Sequence, residues 1–174
     1  MSSIDFSSGA PDYKPDRPVI DLNVPGIETT PLWDELISIR IGQPWAETAI
    51  AGLQFYDYGT PGLSGKPVSP ALGDRIVLVR APDNQNDANA IEVWWRNSVR
   101  LGHLPRELAA EVAPRLDAGA PCRAYVLSPG NGEPWSAWAL ILGEAVRPAY
   151  DRHRAEHLRR PMPVSSDIDD DIPF

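Results

Sequence analysis

The sequence predicts a mainly β protein, with about six strands and one or two short helices. Short β-rich runs recur along the chain, at Ile76–Arg80, Ala90–Trp95, Val99–Leu104, Cys122–Leu127 and Trp135–Leu142. Each is bounded by Gly, Pro, Asn, Asp or Ser, the residues that end strands and make turns. The clearest helical period lies between them. Leu108, Val112 and Leu116 fall at i, i+4 and i+8 within Pro105–Leu116.

Taken in order, residues 1–30 hold Pro11, Pro15, Pro18 and Pro25, paired serines and scattered aspartates, and read as a solvated tail. The short set Val19, Ile20, Leu22 and Val24 has the apolar character to lie on a neighbouring surface. Thr30-Pro31 opens a short helix, with Thr30 as cap, Pro31 at the first helical position and acids in the first turn. Trp33 and Leu36 lie three apart and are expected to share its packed face, and Gly42-Gln43-Pro44 ends it. Trp45–Tyr58 reads as the first strand and residues 59–72 as a Gly-, Ser- and Pro-rich break. Arg96-Asn97-Ser98 turns the chain between two later strands. Pro114 is expected to kink or end its helix. Ser128-Pro129-Gly130-Asn131-Gly132 joins the last two strands, which places the domain at residues 46–147. A linker at residues 148–166 follows. Its basic stretch Asp151–Arg160 has helical potential, and residues 167–174 form an acidic tip.

The chain has 174 residues, 16 Lys and Arg, 24 Asp and Glu and a net charge of −8. That total argues against a general nucleic-acid coat. The charge is uneven, however. Residues 46–150 carry 9 basic and 11 acidic side chains, so the centre is near neutral and the excess acid lies toward the ends. The single cysteine, Cys122, forms no intrachain disulfide and suits packing as a small apolar residue. No run of about 18 apolar residues suggests a membrane span, and the chain reads as cytoplasmic. No cofactor or metal is expected. In Asp83-x-Gln85-x-Asp87 the sixth position of a calcium loop is Ala88 rather than Gly and the twelfth is Trp94 rather than Glu. No Cys/His set has zinc spacing, and no glycine-rich phosphate loop precedes a helix.

The stretch Leu72–Val126 carries a denser signal. A strand ends in Arg80, and Ala81-Pro82-Asp83-Asn84-Gln85-Asn86-Asp87-Ala88-Asn89-Ala90-Ile91 follows. Then Gly102-His103-Leu104-Pro105 leads into the helix. This pattern closely resembles the HIRAN domain family, over about residues 46–146. The resemblance implies a small antiparallel barrel related to the OB-fold, a closure that hides sheet edges. It further implies binding of single-stranded DNA, with a free 3′ end held in a pocket. On that resemblance the stacking residues fall at Phe55 and Tyr56. Arg80, Asn84, Asn86 and the rest of the loop form another wall, Asp87 meets the terminal hydroxyl, and Gln54 and His103 complete the set. An acidic group there accepts from a 3′ hydroxyl and repels a continuing phosphate. Gln54 stands where eukaryotic members carry Arg, and Asn86 where they carry Tyr. Arg100, Arg106 and Lys66 are the candidates to compensate for these losses.

These residues equally suit structural roles. Phe55 and Tyr56 would alternate on a strand, one facing the core. Asp83, Asn84, Asp87 and Asn89 have the chemistry to close the loop by Asx-turns. His103 fits the edge of a core. Trp94 and Trp95 point to opposite faces, which leaves one of them to serve as a stacking platform.

The last octet, Asp167-Ile168-Asp169-Asp170-Asp171-Ile172-Pro173-Phe174, is the second signal. It resembles the C-terminal tip of bacterial single-stranded DNA-binding proteins (SSB), differing at Ile168. The resemblance implies docking of replication and repair proteins. Phe174 offers an apolar anchor and a carboxylate for a bidentate Arg, and Pro173 lowers the ordering cost. Asp169, Asp170 and Asp171 meet a basic rim, with Ile172 beside them. The reading is a non-enzymatic adaptor, its barrel on single-stranded DNA or 3′ ends and its tip on SSB partners. The alternatives are a protein-only mimic of the SSB tail and an enzyme acting on DNA ends through Asp83, Asp87 and His103.

Overall fold

A computed structural model describes residue 18, residues 20–59 and residues 69–159, with side chains described as far as residue 156. Lys66 and the acidic tip, Asp169 to Phe174 included, lie outside the described residues. Helix α1 spans Pro31–Arg40, α2 Arg106–Asp117 and α3 Arg147–Arg159. The strands are β1 Trp45–Ala49, β2 Arg75–Arg80, β3 Ile91–Trp95, β4 Val99–His103, β5 Arg123–Ser128 and β6 Trp138–Leu142.

All six strands pair antiparallel in one sheet, in the order β1-β6-β5-β2-β3-β4. The sheet curls into a half-barrel. Its two edges meet where Ala51, just past β1, pairs with His103 at the end of β4. The concave side encloses Ile50, Leu53, Ile76, Ile91, Val93, Trp95, Leu101, Val126 and Ile141, and α2 adds Ala109, Val112 and Ala113.

The convex side is divided. On β1, β6 and β5 it carries Trp45, Leu140, Leu142, Tyr125 and Leu127, which pack with Leu32 of α1 and Tyr150 of α3. Both faces of these strands are buried, so β5 and β6 read as nearly unbroken apolar runs. Glu35 of α1 anchors the helix there. Its carboxylate takes a bidentate pair from Arg123, at 2.6 and 2.9 Å, and accepts the Tyr125 hydroxyl at 2.7 Å. On β2, β3 and β4 the convex face remains open, and Val77 and Val79 are exposed.

Several local expectations change. The packed face of α1 is Leu32, Glu35, Leu36 and Ile39, and Trp33 is exposed, because the four-residue step from Leu32 faces the sheet. Pro31 holds the first helical position, but the Thr30 hydroxyl donates to the Ile27 carbonyl at 2.6 Å instead of capping. Helix α2 runs three residues past Pro114, whose ring sits on the solvent side one turn after the exposed Ala110. β1 ends at Ala49, since Gly52 (φ +76°) turns the chain into a short 3-10 turn at Leu53–Phe55. β6 begins only at Trp138, with Trp135 in the preceding loop. In the segment read as a tail, Ile27 is buried and Ile20 packs on the α1 side. In the segment read as a linker, α3 packs on β1, with Trp45 edge-on to Tyr150 and His153.

Candidate nucleic-acid interface

The floor of the site is the open convex face of β2, β3 and β4. Strand register sets its outward residues in two rows, Val77–Trp94–Arg100 and Val79–Glu92–His103. Arg100 and His103 are three apart, and on a regular strand they would face opposite ways. A bulge between Val93 and Trp94 inserts Leu101 as the extra residue. Arg100 then opposes Trp94 and His103 opposes Glu92, all on the outside, while Leu101 points into the core. A three-residue turn, Arg96 (φ +53°), Asn97 (φ +58°) and Ser98, joins β3 to β4, with Trp95 paired to Val99.

Tyr56 leans over this floor from the turn after Gly52. Its ring centre lies 5.3 Å from that of His103, tilted by 56°. The Arg100 guanidinium is held between two rings, 5.0 Å from Tyr56 and 5.2 Å from Trp94. Glu92 fixes both neighbours. It accepts the Trp94 indole N–H at 2.8 Å and sits 3.5 Å from the Arg100 guanidinium. Asp57 and Arg100 exchange hydrogen bonds through the Arg100 main chain, at 3.2 and 3.3 Å. Leu53 is the residue of this turn that enters the core. Gln54 and Phe55 point outward, Phe55 with 77% of its surface exposed, so neither Phe55 nor Tyr56 is a core residue. The Tyr58 hydroxyl donates to the Gly130 carbonyl at 3.0 Å, tying the β5–β6 loop to this turn. That loop holds Trp135 at φ +64°, with 56% of its surface exposed. An exposed indole on a left-handed backbone is unusual for a residue with a β-carbon.

The Asp83–Asn89 loop closes one end of the site. The Arg80 guanidinium is fully engaged beneath it, bonding the Ala88 and Ala90 carbonyls at 3.0 and 2.8 Å and Asp117 at 2.9 and 3.2 Å. Asn84 Oδ1 accepts the N–H groups of Asn86 and Asp87, and Asp87 Oδ1 accepts that of Asn89. The Asx-turn chemistry is therefore present. The other Asp87 oxygen lies 3.8 Å from Arg106 Nε, and Arg106 also donates to the Asn86 carbonyl at 2.8 Å. Asn86 itself is exposed.

Burial lowers the pKa of His103, against the pull of Glu92 and with the push of the Arg100 charge, which favours the neutral ring. Burial pushes the Cys122 thiol up to about 11, which makes it a poor nucleophile. Among the described residues, no three His, Cys, Asp or Glu gather to hold a metal, and no helix is long and apolar enough to cross a membrane.

Glu92 and Trp135 carry no signal in the sequence reading, which names Arg100 only as a compensating cation and leaves open which of Trp94 and Trp95 is the platform. The Trp94-Trp95 pair was the available signal for Trp94. The structure resolves it, with Trp95 in the core and Trp94 on the open face.

The fold is a curled antiparallel half-barrel with one open, ring-lined face on which the charges of Arg100 and Glu92 offset each other. Residues 46–135, just over half of the chain, match the HIRAN domain family, and the chain belongs to it. No curated protein matches the sequence. Among solved structures, the crystal structure of the HIRAN domain of human HLTF is 24% identical, with a TM-score of 0.46, covering 66% of this chain and 88% of that one. A Lactobacillus plantarum protein is 21% identical, with a TM-score of 0.47, covering 59% and 97%. The HLTF HIRAN domain in its DNA-bound conformation is 22% identical, with a TM-score of 0.42, covering 67% and 93%.

Proposed function

We propose that this HIRAN domain binds single-stranded DNA, with a free 3′ end seated between Tyr56, His103 and the Asp87 loop. The observation that carries the reading is the placement of Tyr56 above the open face, beside the His103 imidazole and the ring-held Arg100 guanidinium. An aromatic ring stacks any base, and a nearby cation meets the phosphate, so affinity comes without sequence preference. Phe55 and Trp135 supply further exposed rings around the same turn. Asp87 and Asn86 offer polar groups to the terminal sugar, with Asp87 accepting from the hydroxyl and repelling a phosphate. Asn84 and Arg80 position that loop, and Gln54 lies at the rim.

The role proposed is binding, not catalysis, with no cofactor or metal. Residues Asp169, Asp170, Asp171, Ile172, Pro173 and Phe174 would dock a replication or repair protein that also recognises SSB tails, making the chain an adaptor. This second part rests on the sequence of the tip.

The test is fluorescence anisotropy of the full chain with labelled oligonucleotides at low salt, comparing 3′ hydroxyl with 3′ phosphate ends. A chain lacking the last eight residues is run in parallel, to separate binding by the domain from any effect of the acidic tip. Tighter binding to the 3′ hydroxyl supports the reading. Equal binding to both leaves a general single-strand binder. No binding by either chain leaves a protein-only mimic.

A further inference from the structure

The convex face holds more than the Tyr56 pocket needs. β2 is a central strand, yet its outward residues Val77 and Val79 are 41% and 40% exposed. Elsewhere on the sheet, the outward residues Trp45, Tyr125, Leu127, Leu140 and Leu142 are covered by α1 and α3, and Trp138 at the start of β6 is exposed. Here a shallow cavity of about 230 Å³ is lined by Val77, Val79, Glu92, Trp94 and Asn97. Its floor is aliphatic, one wall is an indole fixed by Glu92, and its rim carries a carboxylate and an amide.

We propose that this cavity is a second nucleotide subsite, and this rests on the DNA-binding reading above. A nucleobase lies on Val77, Val79 and Trp94, with Asn97 at its polar edge. Arg100 grips the phosphate that joins this nucleotide to the one at Tyr56. Three observations commit the occupant to DNA. Arg100 touches both Tyr56 and Trp94, so the two subsites share one cation and are continuous. The two rings fix the guanidinium plane, which lowers the ordering cost of a phosphate contact. Its ion pair with Glu92 is long, at 3.5 Å, leaving the guanidinium edge for a stronger acceptor. An apolar surface bordered by a cation and an amide suits a base and its phosphate better than a wholly apolar peptide side chain, with the Glu92 carboxylate taken up by the Trp94 indole N–H and Arg100.

The experiment uses the full chain and short oligonucleotides with a free 3′ hydroxyl, intact or with an abasic spacer at the penultimate position. Removing that base should weaken wild-type binding roughly 5- to 100-fold. Trp94→Ala should bind the intact strand as weakly as wild type binds the abasic one, and should lose little more from the spacer. Trp94→Phe keeps a ring and should retain part of the penalty, which separates lost stacking from misfolding. Arg100→Gln should weaken all strands and reduce the slope of log affinity against log salt by about 0.7. An equal abasic penalty in wild type and Trp94→Ala, with Tyr56→Ala still impaired, would overturn the second subsite and leave the Tyr56 reading standing. Failure of wild type to bind any strand would overturn both, and a peptide or protein bound at Trp94 would then be the face's true occupant.

Discussion

Ala51 and His103 exchange two backbone hydrogen bonds, of 2.8 and 2.9 Å, and so join the opposite edges of the sheet. One partner leads into the turn that carries Phe55 and Tyr56, and the other lies under the Tyr56 ring. The seam that closes the barrel is therefore also what brings the halves of the site together.

Gly102 permits that seam. A β-carbon there would lie 2.2 Å from the Ala51 carbonyl oxygen and 3.0 Å from an Ile50 methyl. Gly102→Ala must push the edges apart, and we expect a loss of about 2–3 kcal/mol in urea unfolding. Hydrogen exchange at the amides of Ala51 and His103 should quicken, and DNA binding should fall with it. Unchanged exchange at these amides would mean that the seam is not what the glycine serves.

Arg80 acts as a clamp on the loop. Arg80→Ala removes the bonds to the Ala88 and Ala90 carbonyls, leaving Ala90 only the Ala81 N–H, and should cost about 1–3 kcal/mol, read by thermal unfolding. Asp117 is mostly exposed, so Asp117→Asn should cost under about 1 kcal/mol. Equal losses would place the weight on the ion pair instead of on the carbonyls.

Acid should release α1. Burial opposes ionisation of Glu35, but the hydrogen bonds from Arg123 and Tyr125 and the Arg123 charge outweigh it and hold the pKa below the ordinary 4.5. Above pH 4.5 both folded and unfolded chains are ionised, and the stabilisation is fully present. As pH falls through the folded value it is lost, because the unfolded chain takes up the proton first. Glu35→Gln should remove this acid dependence and lower stability at pH 7 by about 2–3 kcal/mol. Denaturant midpoints between pH 7 and pH 3 check both.

His103 gives a second pH signature. Its folded pKa lies below the ordinary 6.5, so the unfolded chain binds the proton first as pH falls. Stability is whole above pH 6.5 and declines as pH drops through the folded value. The ring's NMR titration should have its midpoint below 6.5, and Arg100→Gln, which removes one depressing charge, should raise it.

At the DNA site, Tyr56→Ala should weaken a short single strand by about 1–3 kcal/mol. Asp87→Asn should preserve most affinity but erase the preference for a 3′ hydroxyl over a 3′ phosphate, measured by anisotropy. A retained preference would assign end recognition elsewhere.

The sequence by itself determined the family, the mainly β class and the helix at Pro105, because these rest on local signals. The signals were turn residues, apolar spacing, and the dense motif from Arg80 to Pro105. It did not determine that Trp45–Tyr58 breaks after Ala49, since a left-handed Gly52 looks the same in sequence as any other glycine. Nor did it show that Arg80 faces inward to two carbonyls and Asp117, a partner 37 residues away. Most of all, strand alternation alone would put Arg100 and His103 on opposite faces. The bulge at Leu101 turns both outward, and a bulge is set by pairing with a neighbouring strand. Which half of the convex face stays open was likewise a tertiary matter. Val77 and Leu140 are equally apolar, and only the positions of α1 and α3 leave Val77 beside Trp94 in contact with solvent.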